Sequence, residues 1–381
     1  MNPFVFQSPT KVLFGEFTTS SCGDVLADLG GRKALVVADA FLIESGAIGP
    51  LLESLKDPCV FSDVPPDSDV SCVNEAAALA RANACDSIVA VGGGSVIDTA
   101  KVVNICLSLG GDLMEYQGLN ILDKKLLPMV VVPTTAGTGS EVSFVAMIKD
   151  KQENKKMLFG SPFLAPDVAL LDPTLLLSLP PKLTAATGMD AITHSIESFV
   201  ASGTCSVATD AMCLESLALM CKHLPVAYKT GDDLEARAGT LVGSTMAGIA
   251  FTNSGVGVVH AIAHSIGALF NTHHGMTNAV LLPYGMEFNL PDVADRYARL
   301  GRYIGLSGAD DKAVAGELVA CVRKMIEEFK LPVTLKALGV PELDDDTLNL
   351  LAEMAASDPA IMFNPRETSA EDLIGLIKRA Y

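Results

Sequence analysis

Six histidines occur in 381 residues, at 194, 223, 260, 264, 273 and 274, and four of them fall between 260 and 274. Random placement would put about 0.2 of them in such a window, so the cluster asks for a chemical reason. Asp190 and His194 are spaced i and i+4, which on a helix sends both side chains out of one face with Cβ atoms about 5–6 Å apart. His260 and His264 repeat that spacing, and His274 follows Asn271-Thr272-His273 just before Gly275. Three imidazoles and one carboxylate from these positions make a near-tetrahedral set for Fe²⁺ or Zn²⁺, with an outer position open to substrate. One carboxylate leaves a divalent site with a net charge of about +1, enough to favour an alkoxide. A lone buried histidine is usually structural, and His223, near a helix end, takes that reading. His273, beside a ligand candidate, is expected to point the other way.

A second constellation is built of glycine and hydroxyl groups. Gly92-Gly93-Gly94-Ser95 follows the apolar run Ser87-Ile88-Val89-Ala90-Val91 and opens a helical segment starting Ser95-Val96-Ile97-Asp98. Ligands of a parallel sheet collect at the carboxyl ends of its strands, where helix N-termini receive anions. Glycine lets backbone N–H groups approach a pyrophosphate, and Ser95 and Asp98 have the spacing of a capping box. The alternative is a tight turn with no ligand. No GxGxxG occurs, so a dinucleotide would not use the standard fingerprint. Residues Pro133 to Glu141 form a second loop after an apolar run, dense in threonine and glycine, whose hydroxyls suit phosphate or ribose. Asp39 ends the run Ala34–Ala38; a carboxylate there accepts from both ribose hydroxyls and repels a 2′-phosphate, favouring NAD over NADP. Capping a helix before Phe41 would explain Asp39 equally well.

The elements that must position these groups divide the chain in two. Ala34–Ala38, Ser87–Val91, Met129–Val132 and Val168–Leu171 are continuous apolar runs, each stopped by Asp, Gly or Pro, with helical segments such as Glu75–Ala84 and Ser95–Ser108 between them. Strands apolar on both sides predict a parallel sheet covered on both faces, a doubly wound α/β domain. After Leu179-Pro180-Pro181 the period becomes helical, over Thr184–Val200, Val207–His223, Asp233–Ala250, Gly257–Phe270, Asp311–Phe329 and Ser369–Tyr381. The reading is an α/β dinucleotide-binding domain over residues 1–180 and an all-α metal-binding, catalytic domain over 181–381. Asp344-Asp345-Asp346 is a helix start or a solvated turn. There is no internal repeat and no low-complexity segment.

Composition narrows the function classes. A net charge of −18 repels phosphate backbones and anionic lipid, so neither nucleic acid nor a membrane surface is an expected partner. Nine cysteines, odd in number and without a CxxC pair, read as reduced thiols of a cytoplasmic protein. The N-terminus has neither a basic region nor a continuous apolar core, which predicts no signal peptide. Leu241 to Phe270 is long and apolar, but its two histidines, Asn253, glycines and serines make lipid exposure costly, so it reads as buried core helices.

With these residues in place, the chain resembles the iron-containing, or group III, alcohol dehydrogenase family. The resemblance spans nearly the whole chain, through GGGSVIDTAK at 92–101, PTTAGTGSEV at 133–142, LPPKLTAATGMDAITHSIESF at 179–199, HAIAHSIGALFNTHHG at 260–275 and NPRETSAEDL at 364–373. It implies an N-terminal α/β domain, a C-terminal helical domain and an active site in the cleft between them. It also implies that Asp190, His194, His260 and His274 bind the metal, with His264 beside it as a proton relay. Gly93, Gly94, Ser95, Asp98, Thr134, Thr135, Thr138 and Lys156 fall where the family contacts the dinucleotide, and Phe251 on the substrate-pocket wall. Homodimers or larger homo-oligomers, joined partly by the N-terminal strand, are implied as well. Three departures bear on substrate choice: Asp67-Ser68-Asp69 in place of Asn-Pro-Thr, Ala360 in place of a cysteine found in some members, and Ser265 where proline is common.

The expected reaction is reversible hydride transfer between a small primary alcohol or diol and NAD⁺, with Fe²⁺, or alternatively Zn²⁺, lowering the alcohol pKa and His264 or the cofactor ribose passing the proton on. The rival enzyme is a relative of glycerol dehydrogenase or dehydroquinate synthase, though the second half offers no obvious basic cluster for a phosphorylated substrate. A non-catalytic NAD-binding scaffold on the same fold is the rival of a different class; loss of metal ligands would be expected there, and all four stand.

Overall fold

The computed structural model describes residues 3–381 apart from Asp67 and residues 152–154, with Lys155 described by its backbone. Asp67, named above as a departure, therefore lies outside the described residues. The chain divides into two compact units, Ser8–Ser178 and Leu179–Tyr381, the second joined by the N-terminal segment Met1–Gln7. Gln7 is tied there by a reciprocal pair, its N–H donating to Asn253 Oδ1 at 2.7 Å and its carbonyl accepting from Asn253 Nδ2 at 2.9 Å.

The first unit runs β1 (Lys11–Phe14), α1 (Cys22–Asp28), β2 (Ala34–Ala38), α2 (Ala40–Glu44), α3 (Gly49–Ser54), β3 (Cys59–Phe61), α4 (Val70–Ala82), β4 (Ser87–Gly92), α5 (Gly94–Ser108), β5 (Gly118–Leu119), β6 (Met129–Pro133), β7 (Val145–Asp150), β8 (Lys155–Gly160) and β9 (Val168–Leu171). Six strands form one parallel sheet in the order β1-β9-β6-β4-β2-β3. The four apolar runs read from sequence are its interior strands, and β2, β4, β6 and β9 are buried along their whole length. Alternation sorts their side chains between two faces. Val36, Ala38, Val89, Val91, Val130 and Val132 pack with Leu26, Leu42 and Leu51 of α1, α2 and α3. On β2, β4 and β6 themselves lies α5, which packs against α4. Burying each such valine or leucine is worth about 1.5–3 kcal/mol, which is why strands of this composition sit inside a doubly covered sheet. A smaller sheet, β5-β8-β7, carries an antiparallel β7–β8 pair that the apolar-run pattern did not announce.

The second unit is helical: α6 (Pro181–Val200), α7 (Val207–Lys229), α8 (Leu234–Ser254), α9 (Val258–Phe270), α10 (His274–Tyr303), α11 (Asp311–Glu328), α12 (Leu335–Leu338), α13 (Asp345–Ser357) and α14 (Ala370–Ala380). From Thr184 to Val200 every residue of α6 is buried, which marks it as the core helix around which α7, α8 and α10 pack. Its first turn is clamped by fully buried Arg237, whose guanidinium donates to Gly231 O, Thr184 Oγ1 and Leu179 O at 2.7–2.8 Å. Asp344 caps α13, so the acidic triplet is a helix start. Among the described residues no single helix is long and apolar enough to cross a membrane. The pair α8 and α9 meets that length and composition only when joined, and the two are bent by 100°.

Candidate active site

Helix α6 puts Asp190, His194 and Glu197 at i, i+4 and i+7, one stripe of one face. Helix α9 starts at Val258 because two side chains satisfy its first N–H groups: Asn364 Oδ1 accepts from Val258 at 3.1 Å and Glu197 Oε1 from Val259 at 2.8 Å. The other carboxylate oxygen of Glu197 lies 2.5 Å from His260 Nδ1. Glu197 thus sets the start of α9 and turns His260 so that Nε2 faces Asp190. Asn271, in the left-handed region at φ 54°, ends α9 and lets the chain reverse into α10, whose first residue is His274. Gly275 allows that start to come close to α6: a Cβ there would lie 2.3 Å from Ala186 O.

These elements converge three donor groups. Ligand atoms of Asp190, His260 and His274 all lie within 4.8 Å of one another. Asp190 Oδ1 is 3.8 Å from His260 Nε2 and 3.5 Å from His274 Nε2. A tetrahedral ion with bonds of about 2.1 Å would hold its ligands roughly 3.4 Å apart, so two imidazoles and a carboxylate here fit a divalent cation in chemistry and in spacing. His194 is placed differently from the other three expected ligands. It is not in that convergent group; its ring stacks on His260 at 4.6 Å between centroids and on Phe251 at 4.4 Å. Asp190, His194 and His260 are buried and His274 is half-exposed.

His264, one turn after His260, stacks on His274 at 5.3 Å, and its Nδ1 is 2.8 Å from Asp358 Oδ2. Burial opposes the Asp358 charge, but the charge and hydrogen bond of His264 and the Ala360 N–H outweigh it and hold the carboxyl below its usual range. Burial likewise disfavours a charged His260, yet the Glu197 hydrogen bond and the nearby carboxylates raise its pKa above the ordinary value. His223 is buried on α7 and His273 is exposed.

In the first unit, Gly93 caps α5 with no side-chain hydrogen bond, so the capping box expected from Ser95 and Asp98 is not formed. The helix begins one residue earlier, at Gly94, which leaves Ser95 inside its first turn. Asp98 turns instead into the protein, accepting from Ser140 Oγ and Met147 N–H, both at 2.9 Å. The glycine turn and the threonine loop lie against each other. A Cβ on Gly94 would meet Thr138 Cγ2 at 2.7 Å and one on Gly93 would meet Thr135 at 3.3 Å. Thr134 donates its N–H to Gly92 O at 3.1 Å. An uncapped helix N-terminus beside hydroxyl groups, in a cradle that a Cβ would fill, suits the phosphates of a dinucleotide. Lys156, on β8, contributes a positive charge felt by Asp98. Asp39 is exposed at the end of β2, and its Oδ1 caps α2 by accepting from Phe41 N–H at 2.9 Å.

The iron-containing alcohol dehydrogenase family matches residues 9–173, and the C-terminal part of that family matches residues 184–381. The chain belongs to the iron-containing alcohol dehydrogenase family. It is 35% identical to the NAD-dependent methanol dehydrogenase of Bacillus methanolicus, over 98% of this chain and 99% of that protein. It is 34% identical to the 1,3-propanediol dehydrogenase of Klebsiella pneumoniae, over 99% of each. A crystal structure of 1,3-propanediol oxidoreductase superposes with a TM-score of 0.96 at 33% identity, covering all of both chains. As a member of this family the protein is an oxidoreductase of the alcohol dehydrogenase type, acting on small alcohols or aldehydes.

Three groups of this alcohol dehydrogenase escape the histidine-led reading: Glu197, Asn278 and Asp358. Asn278 lies one turn after His274 on α10, with its amide nitrogen 2.7 Å from Asp190 Oδ1. Glu197 and Asn278 both carried a signal, since each extends an i+3 or i+4 stripe that already held a candidate ligand. Asp358 comes from a distant segment, and no spacing announces it. The terminal Asn-Pro-Arg is structural: Asn364 anchors α9, and Arg366 donates to Phe288 O at 2.9 Å.

Proposed function

We propose that this chain is an NAD(H)-dependent, metal-assisted alcohol dehydrogenase and aldehyde reductase. Its reaction is reversible hydride transfer between a small primary alcohol or diol and NAD. The observation that carries the reading is the convergence of Asp190, His260 and His274 in the helical unit. His194, adjacent through its stack on His260, is the fourth ligand. The ion is Fe²⁺, with Zn²⁺ able to use the same donors. When bound, the cation supplies a positive charge that favours an alcohol as its alkoxide, and the dinucleotide accepts the hydride.

The remaining work falls to the chain's own residues. Asp358 at Nδ1 orients His264 and leaves Nε2 as the atom that takes the alcohol proton. Glu197 at Nδ1 of His260 keeps the Nε2 lone pair facing the ligand cluster. Phe251, stacked on His194, covers that ring and forms an apolar wall for the carbon end of the substrate. Gly93, Gly94, Ser95, Thr134, Thr135, Thr138 and Lys156 hold the pyrophosphate and neighbouring ribose, with Asp98 fixing the loop that carries Ser140. Asp39 uses one oxygen to cap α2; its other oxygen receives the adenosine ribose and disfavours a 2′-phosphate. Residues 1–180 are thus the dinucleotide-binding domain and 181–381 the metal-binding domain.

A cytoplasmic homodimer or larger homo-oligomer completes the reading. Free thiols suit a reducing compartment, and β1 is a sheet edge with Val12 and Phe14 exposed, a surface suited to pairing with a second copy. The test is NADH oxidation with short aldehydes by metal-stripped protein reloaded with Fe²⁺ or Zn²⁺, with NADPH in parallel. Turnover should need the ion, stop with chelator and favour NADH. Equal rates in chelator-treated and reloaded protein, or none with any aldehyde, would refute the proposal.

A further inference from the structure

Asn278 is fully buried on α10, four residues after His274. Its Nδ2 donates to Asp190 Oδ1 at 2.7 Å and lies 3.1 Å from both His260 Nε2 and His274 Nε2. These are the same three atoms that converge as metal donors. Its Oδ1, also buried, has no hydrogen-bond partner among the described residues.

An unsatisfied buried carbonyl is destabilising, so a residue present only to fill space would be better apolar. Rotating the amide by half a turn would aim Oδ1 at the Asp190 carboxylate oxygen, an acceptor, and turn the NH₂ group to the side where Oδ1 finds no partner. The observed orientation is therefore the one the surroundings dictate. It also settles which atoms face inward. His260 is held at Nδ1 by Glu197, so its Nε2 faces the amide, and His274 Nε2 lies at the same 3.1 Å from it.

We propose that Asn278 is a positioning residue of the metal centre, whose NH₂ group holds Asp190, His260 and His274 converged. Without it the Asp190 carboxylate would lose a donor and the two rings the group they share, and the cluster would open. Loading then meets ligands already gathered, in place of side chains that must be collected and reoriented. The inference rests on the metal-centre reading above.

The experiment titrates Zn²⁺ alone into the metal-stripped full chain, in competition with a colorimetric chelator. Wild type, Asn278→Ala and Asn278→Leu are compared, the last keeping the branched shape without donors. Both variants should hold Zn²⁺ about 10–100-fold more weakly, the range seen when partners behind a metal ligand are removed. Thr240→Val, on α8, removes a buried hydroxyl that among the described residues bonds only Arg237 O, and should bind as wild type does. A folded Asn278→Ala or Asn278→Leu chain with wild-type affinity overturns the assignment and leaves the metal centre standing. Failure of wild type to bind Zn²⁺ overturns both. Should neither variant fold, hydrogen exchange of the Asn278 side-chain amide in wild type decides. The amide must be protected from solvent and its signals must move when Zn²⁺ is added, and an amide that exchanges freely or ignores Zn²⁺ sinks the proposal.

Discussion

Gly275→Ala isolates a place where backbone approach, and not a ligand, controls the metal centre. The added Cβ would lie 2.3 Å from Ala186 O, 2.9 Å from Ala186 C and 3.4 Å from Asp190 Cβ. Ala186 O belongs to the backbone of buried α6 and cannot rotate away. The start of α10 must therefore retreat by at least 0.7 Å to reach 3.0 Å, the closest approach real Cβ atoms tolerate. His274 is the preceding residue and moves with it, away from Asp190. Ligand sets need their members within about 0.5 Å of productive positions, and misplacement near 1 Å costs on the order of 100-fold in rate. Overpacking costs about 1–3 kcal/mol, partly offset by roughly 1 kcal/mol of better helix propensity for alanine over glycine. Global stability should thus fall little while metal affinity and turnover fall together and far. The assay pairs metal content after dialysis against a weak chelator with NADH turnover and melting temperature. Gly316→Ala, with open space around its Cβ, is the control. A folded Gly275→Ala enzyme with metal content and turnover within about twofold of wild type would show that the close approach does not position the ligands.

Two further outcomes follow from the same geometry. His264→Ala should lower turnover about 100-fold or more while leaving metal content near wild type, and Asp358→Asn should lower it less, since it misdirects the ring without removing it. Equal loss of metal and turnover in His264→Ala would make His264 a ligand. Lys101, wholly buried, has its pKa brought down by burial to about 8 from 10.5, against the pull of Asp98 and Glu141. Between those values the unfolded chain holds the proton and the folded chain does not, so the penalty for Lys101, present in full below about 8, is relieved as pH rises towards 10.5. Relative to Lys101→Met, wild-type unfolding free energy should gain roughly 3 kcal/mol across that window in denaturant melts at stepped pH. A flat difference would place the charged amine in the folded state throughout.

The parts of this enzyme legible in its sequence are those where one physical demand dominates. Interior strands are buried on both faces, so they spell themselves out as unbroken apolar runs, and all four were placed to within a residue of their observed limits. Strand β1 has three exposed residues out of four, and β7 alternates, so neither produces such a run. The helical reading stops at Phe270 and resumes at Asp311, across a stretch that holds Pro283 and Pro291. Yet α10 runs through both and is kinked at Val293, where φ is −134°. Ser95 and Asp98 had the spacing of a capping box, but Gly93 begins the turn and Asp98 is worth more as an acceptor for the threonine loop.

The same contrast runs through the metal centre. Histidines are rare enough here for clustering to speak, whereas Glu197 is one acidic residue among 45 and draws notice only by its place on the Asp190 stripe. A ligand must present a donor atom and so betrays itself by type. The residues that aim it need only be polar and one helical turn away, a condition many side chains meet. Glu197 and Asn278 are therefore found by asking what holds each imidazole's other nitrogen, or its lone pair, in place. Asp358, 94 residues from His264, answers that question for the ring assigned to proton transfer, and only the packing of the helical unit brings it there.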